Sequence, residues 1–229
     1  MARRIVELVG PAGAGKTTLA GLVSRDGDEV RLGLPLGGAE RRRAHAVAAL
    51  RVVPACLRSR GERRWFTADE IRAMGYLDAW QRRAARPAAA GGTVLLDHGP
   101  IFRLAQLDEF GPPATTDPAF RRWWDGSVRR WAGLLDVVVR LDAPDEVLAA
   151  RIRSREQRHV VKGAADAAIS AFLERYRTAY DRVLGRLVAA AEQCGSPIEV
   201  VTVRTDREAP SRIADRVGAA LREAAVRGG

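Results

Sequence analysis

The 229-residue sequence predicts an α/β domain, a parallel sheet with helices on both faces. Three observations carry that expectation. Short apolar runs alternate with helical patterns from end to end. The stretch Gly10-Pro11-Ala12-Gly13-Ala14-Gly15-Lys16-Thr17-Thr18 joins the first run to the first helical pattern. A later apolar run, Thr93–Asp97, ends in a carboxylate.

Taken in order, Ile5–Val9 reads as a central strand buried on both faces, interrupted by Glu7. For that carboxylate a structural ion pair or a strand-end position is the expectation. Gly15–Ser24 follows as a helix, closed by the turn signal Asp26-Gly27-Asp28. Glu29–Leu34 is a short second strand. A helix from about Ala39 to Val53 is expected to stop near Pro54, because proline lacks the N–H that a helix interior needs. Thr67-Ala68-Asp69-Glu70 is a capping box, and the helix after it runs through Ile71, Leu77 and Gln81 and ends before Pro87. Ala88–Gly92 is a loop of small residues leading to the third strand, Thr93–Asp97.

His98-Gly99-Pro100 is a sharp turn, and Asp117-Pro118 starts a helix bearing Phe120, Trp123, Trp124, Val128 and Trp131. That aromatic spacing is helical, which favours core packing over a stacking platform. The fourth strand is 136–142, and Pro144 opens the helix through Leu148 and Ile152. Ile169, Leu173, Tyr176, Tyr180, Val183, Leu184 and Leu187 mark a long amphipathic helix over about 164–191. Ile198–Val203 is the fifth strand, and Ile213, Val217 and Leu221 share one face of a last helix. A single domain, residues 1–229, is expected.

With 47% hydrophobic and 29% charged residues the chain is an ordinary globular one, not a disordered one. No apolar run approaches the ~20 residues of a membrane span, and the first strand begins too early for a secretory leader. Cys56 and Cys194 stand alone and far apart, as expected of reduced thiols in a cytoplasmic protein. The net charge of +10 favours anionic partners. Only Lys16 and Lys162 among the 38 basic residues are lysines, a bias that reads as GC-rich coding. No nucleic-acid fold signature accompanies the charge, so a phosphorylated small molecule is the favoured partner over a polynucleotide. The sequence leaves a homodimer open.

The Gly10–Thr18 stretch is G-x-x-x-x-G-K-T in strand–loop–helix context, which points to a nucleoside triphosphate. Its glycines let backbone N–H groups turn inward around a phosphate, and the helix N-terminus faces the same anion. Lys16 reaches the β- and γ-phosphates, and the Thr17 hydroxyl is a Mg²⁺ ligand. Asp97 ends a strand at the edge where ligands bind in open α/β sheets. It either holds Mg²⁺ or accepts a proton from an attacking hydroxyl. Adjacent strand residues point opposite ways, so His98 is read as structural and unpaired with Asp97. Arg151, Arg155 and Arg158 fall at i, i+4 and i+7, one face of a helix. They form either an arginine lid over the transferring phosphoryl group or a solvated basic face. Arg41, Arg42 and Arg43 read more readily as a solvated face than as an entrance to an acceptor site.

Together, Gly10–Thr18, Leu95-Leu96-Asp97-His98-Gly99-Pro100 and the Arg151-Ile-Arg-Ser-Arg155-Glu156 segment before a long helix resemble the P-loop kinases of nucleosides and nucleotides. Thymidylate kinases and deoxynucleoside kinases have the most similar layout. The resemblance implies a P-loop NTPase fold with strand order 2-3-1-4-5 and a lid at about 151–163; the acceptor-side helical insert at about 35–92, where acceptor specificity should reside, matches neither family well. It implies ATP bound by Gly10–Thr18, Mg²⁺ at Thr17 and Asp97, and lid arginines at Arg151 and Arg155. It places the loop around Thr205 and Asp206 near the adenine. Thymidylate kinases have Asp-Arg where this chain has Asp97-His98, and Arg103 is the candidate substitute. The catalytic Glu and Arg-Ser pair of deoxynucleoside kinases have no match here.

The expected activity is therefore Mg·ATP-dependent phosphoryl transfer to a small-molecule hydroxyl or phosphate, with a nucleoside or nucleotide favoured. A non-nucleotide acceptor such as an antibiotic or sugar is the rival within enzymes. A regulatory ATP-binding protein with weak hydrolysis is the rival outside that class.

Overall fold

The computed structural model describes residues 3–25, 30–58, 64–86, 91–156 and 160–227. Five strands, β1 (Arg3–Val9), β2 (Val30–Leu32), β3 (Gly92–Asp97), β4 (Val137–Asp142) and β5 (Glu199–Arg204), form one parallel sheet. Their order is β2-β3-β1-β4-β5, as expected. Among the described residues eight α-helices join and cover them: α1 (Lys16–Val23), α2 (Gly38–Arg58), α3 (Ala68–Ala84), α4 (Pro100–Phe110), α5 (Pro118–Ala132), α6 (Asp145–Ser154), α7 (Asp166–Gln193) and α8 (Pro210–Arg227). Residues 26–28 and 88–90, for which a turn and a loop are expected, lie outside the described residues.

Alternation along β1 divides the core into two layers. Ile5 and Val9 join Val94, Leu96 and Val138 on one face, against α2, α3, α4, α5 and most of α7. Val6 and Leu8 join Leu95, Val139 and Leu141 on the other, against α1, α6, α8 and the start of α7. Parallel strands buried on both faces need such continuous apolar runs. The expected aromatic stripe is core: Trp124 and Trp131 are almost fully buried, and Trp123 donates its indole N–H to Asp78 Oδ1 at 3.1 Å.

Pro54 is where the structure departs from expectation. Helix α2 runs through it to Arg58. Pro54 itself faces solvent, so the Leu50 carbonyl that loses its N–H partner lies on the wet side of the helix. Ala55 and Cys56, just beyond, are buried against the core and hold the last turn in place. Packing outweighs the local helix breaker here. The capping box at α3 forms as expected: Thr67 Oγ1 accepts from the Glu70 N–H at 3.2 Å, and Glu70 Oε2 accepts from the Thr67 N–H at 2.7 Å.

No described helix is long and apolar enough to cross a membrane. Cys56 and Cys194 are free thiols, the first buried and the second exposed.

Candidate active site

Strand β1 delivers the chain to Gly10 at the C-terminal edge of the sheet. A side chain at Gly10 would overlap the carbonyl oxygen of Leu141 in β4, so only glycine lets the loop turn this close to its neighbour. The loop closes with the Ala14 N–H donating to the Pro11 carbonyl at 3.2 Å. Gly15 is left-handed (φ 88°) and caps α1 without a side-chain bond. The first N–H groups of α1 therefore point into the loop with positive partial charge. Lys16 bends over the same loop and donates to the carbonyls of Gly10 (2.6 Å) and Pro11 (3.1 Å). Burial lowers its pKa from 10.5 to about 8; Asp97 pulls it upward and Arg155 downward.

Strand β3 lies beside β1, with Asp97 in register with Leu8. That brings two residues 80 positions apart into contact, and Thr17 Oγ1 donates to Asp97 Oδ2 at 2.7 Å. Asp97 Oδ1 is buried and accepts no hydrogen bond. A hydroxyl and a carboxylate with an unused, buried oxygen beside a phosphate loop are the donor set Mg²⁺ takes, since that ion binds one or two carboxylates and completes its shell with substrate phosphates. Among the described residues no cluster of three or more His, Cys, Asp or Glu side chains competes as a metal site. The residues present fit Mg²⁺.

The expectation that His98 stands apart from Asp97 is corrected. His98 Nδ1 lies 3.3 Å from Asp97 Oδ1, without the alignment of a hydrogen bond. The strand ends at Asp97, and His98 takes a left-handed backbone (φ 62°), so the alternation rule no longer applies. A non-glycine residue in that region is uncommon and costs of order 1 kcal/mol. Burial pushes the His98 pKa down; Asp97 opposes this, while Lys16, Arg103 and Arg155 add to it. The imidazole thus stands within the field of three cations, Lys16, Arg103 and Arg155.

Arg151 and Arg155 line one cleft of about 280 Å³ with Gly13, Leu19, Leu141 and Ile213. Their placements differ. Arg151 is anchored, donating to the Thr205 Oγ1 (2.9 Å) and carbonyl (2.8 Å) and to the Gly13 carbonyl (3.3 Å). It thereby ties α6 to the phosphate loop and to the loop after β5. Helix α6 ends at Ser154, and Arg155 is extended (ψ 141°), so the arginines do not continue along one helical face. Arg155 instead turns its charge toward Lys16 and His98. Arg158 lies outside the described residues. Thr205 lines the cleft as expected, whereas Asp206 is paired with Arg204 at 3.0 Å.

A family model described as an AAA domain matches residues 5–182. The chain belongs to that family. No curated protein matches it, but solved structures do. Thymidylate kinase from Candida albicans superposes with a TM-score of 0.54 at 12% identity, covering 97% of this chain and 92% of its own. Deoxyadenosine kinase from M. mycoides, solved with dCMP and dCDP, superposes at 0.49 and 12% identity, covering 96% and 98%. The same enzyme with dCTP gives 0.48 and 11%, covering 94% and 100%. This AAA domain therefore has a kinase-like P-loop fold.

Glu7 and Arg103 were singled out in the sequence, but the contacts they make were hidden from it. Among the described residues Glu7 pairs with no arginine side chain at hydrogen-bond distance. Its fully buried carboxylate accepts the backbone N–H groups of Ile101 (2.9 Å) and Phe102 (3.1 Å), capping the N-terminus of α4 from a neighbouring strand. Burial raises its pKa from 4.5 to about 8 against the pull of those two bonds and of Arg103; Asp97 adds to the rise. Gly99 leaves room for it, because a Cβ there would sit 2.7 Å from the carboxyl carbon.

One helical turn on, Arg103 lies over the rings of Tyr76 (5.1 Å) and Trp80 (4.9 Å), with its Nε buried and unpartnered. Tyr76 and Trp80 are four apart on α3, and that shared face was the one available signal. Burial lowers the Arg103 pKa, with Tyr76 and Glu7 opposing. Arg41, Arg42 and Arg43 are exposed at the start of α2, in keeping with a solvated face. Arg58 bonds Asp117 and Arg64 bonds Glu70, while Arg60 and Arg63 lie outside the described residues.

Proposed function

We propose that this domain transfers the terminal phosphoryl group of Mg·ATP to a small-molecule hydroxyl or phosphate, with a nucleoside or nucleotide as the acceptor class. The observation that carries the proposal is the 2.7 Å contact between Thr17 and Asp97 directly beside Lys16. It joins the phosphate loop to a strand-end carboxylate, the pairing on which phosphoryl transfer in P-loop enzymes depends. The fold shared with thymidylate kinase is consistent with this reading.

In the proposed mechanism the α1 N-terminus and the loop N–H groups hold the β-phosphate. Lys16 exchanges the Gly10 and Pro11 carbonyls for β- and γ-oxygens. Arg151 fixes the donor side of the cleft, and Arg155, in a lid over about 151–163, closes on the transferring group. Thr17 and Asp97 hold Mg²⁺, which supplies neutralisation of phosphate charge when bound. Because Asp97 already engages Thr17, the metal role fits it better than that of general base.

The acceptor enters the side formed by the 35–92 insert. There Arg103 offers a cation cradled by Tyr76 and Trp80, suited to an anionic group with a planar ring beside it. A cytoplasmic location, where ATP is abundant, accords with this reading, with the small-molecule acceptor as partner.

The test is a panel of nucleosides, nucleoside monophosphates, sugars and hydroxylated antibiotics with labelled ATP, run on wild type and Lys16→Ala. Transfer to a nucleoside or its monophosphate, lost by at least 100-fold in Lys16→Ala, is the expected result. Transfer to a sugar or antibiotic alone reassigns the acceptor. Slow phosphate release without transfer makes the protein a regulatory ATP-binding one. Undiminished turnover in Lys16→Ala overturns the site.

A further inference from the structure

A second charged cleft, of about 470 Å³, lies between α2, α3 and α5, well away from the phosphate loop. It is lined by Arg51, Asp78, Gln81, Arg82, Arg130 and Leu134, with small residues at its margin. Helices α3 and α5 end here, just before β3 and β4 begin, so the cleft opens toward the N-terminal edge of the sheet. The phosphate loop is at the opposite, C-terminal edge.

The floor is fully wired. Asp78 is buried and takes a hydrogen bond from the Trp123 indole and another from Arg51. Gln81, also buried, donates to the Ser127 hydroxyl (2.9 Å) and carbonyl (3.1 Å) and accepts from Arg130 Nε at 2.8 Å. Arg51 is steadied further by lying over the Trp123 ring at 5.6 Å. Two guanidinium groups are thus held at one edge each by buried partners. Pre-positioning of this sort lowers the ordering cost of anion binding.

The charge does not balance. Three arginines surround one carboxylate, and Arg130 reaches it only at 3.9 Å. Arg82 is exposed on the same rim and, among the described residues, makes no hydrogen bond or ion pair. The C-terminal ends of α3 and α5 contribute about half a negative charge each, which leaves a net positive cleft. Part of the α3 end is already satisfied, since Arg3 donates to the Arg83 carbonyl at 2.9 Å.

We propose that this cleft is a second anion site, which takes a phosphorylated small molecule independently of the phosphate loop. Guanidinium groups match phosphate oxygens in planar, paired hydrogen bonds, and the cleft holds a ligand of several phosphate-sized groups. None of the proposed catalytic residues lines it, and although Arg51, Asp78, Gln81 and Arg82 belong to the 35–92 insert, the Arg103–Tyr76–Trp80 cradle proposed for the acceptor lines no part of it.

The experiment is calorimetric titration of inorganic pyrophosphate into the Lys16→Ala protein, in which the phosphate loop is disabled. One-to-one binding is expected to persist there, and to weaken at least tenfold when Arg82→Glu is added. Arg82→Ala gives a smaller loss and Arg82→Lys restores most of the affinity. Raising salt from 50 to 200 mM weakens binding in every case. Thermal melts and retained ATP binding in the Arg82→Glu single variant check that the fold is intact. Loss of all pyrophosphate binding in Lys16→Ala overturns the proposal. So does binding that Arg82→Glu leaves unchanged, which would place the anion elsewhere on this arginine-rich surface.

Discussion

Glu7 makes the stability of this protein depend on pH in an unusual direction. Its carboxyl is buried at the end of β1, and burial raises its pKa from 4.5 to about 8. An acid whose affinity for protons rises on folding gives stability that is complete below pH 4.5 and is lost as pH climbs through 8. The slope in that window is bounded by one proton, about 1.4 kcal/mol per pH unit, and the whole interval amounts to roughly 5 kcal/mol. For a domain of this length that is on the order of 10 °C in Tm.

The perturbation is Glu7→Gln, which keeps an oxygen for one of the Ile101 and Phe102 N–H groups, gives up the bond to the other at every pH, and cannot ionise. His45 and His98, whose pKa values burial lowers, contribute with the opposite slope. They do so in both proteins, so the difference between the two isolates Glu7. Melting followed by circular dichroism at pH 5 through 8.5 should show wild type losing stability relative to Glu7→Gln as pH rises. Parallel curves would refute the reasoning. They would mean that the two backbone N–H groups and the α4 dipole outweigh burial, leaving Glu7 ionised already at pH 5.

Two further outcomes follow from neighbouring groups. Gly99→Ala, whose Cβ would meet the Glu7 carboxyl at 2.7 Å, should destabilise the fold by about 1–3 kcal/mol in urea melts, and Glu7→Ala should relieve much of that clash in the double variant. Lys16, with a pKa lowered to about 8, is charged below that pH and neutral above it. The ratio kcat/KM for ATP should therefore fall as pH rises past about 8, and Lys16→Arg should remove that limb.

What could be read from the sequence was what the chain encodes locally. The phosphate loop, the Thr67–Glu70 capping box and the α7 stripe each announce themselves within one contiguous stretch of chain. The sheet order, with the strands of Gly10 and Asp97 side by side, came from the resemblance to P-loop kinases that these local motifs carry. Contacts made across the fold were not legible. Glu7 is 94 residues from the N–H of Ile101 that it accepts, and Arg103 finds its aromatic cradle on a helix that precedes it by a whole strand. The Asp97–His98 contact was lost for a different reason: a left-handed φ at one residue cancels the side-chain alternation on which the expectation rested. At Pro54 a sound local rule met a buried Ala55 and Cys56 and gave way.

The strand order also sets a timetable for the growing chain. Strand β1 is the centre of the sheet, yet it is made first, and its partners β3 and β4 end only at residues 97 and 142. At ribosomal rates of about 5–20 residues per second, the apolar Ile5–Val9 run waits on the order of ten seconds for both neighbours. Arg3 and Arg4 stand immediately before it, and in the finished fold each donates to a helix carbonyl, of Arg83 and of Leu221. Before those helices exist, the same two charges flank a bare β-prone segment, where charge opposes pairing between nascent chains. The pair thus serves the protein twice, first as a guard during synthesis and afterwards as a clasp at the base of the sheet.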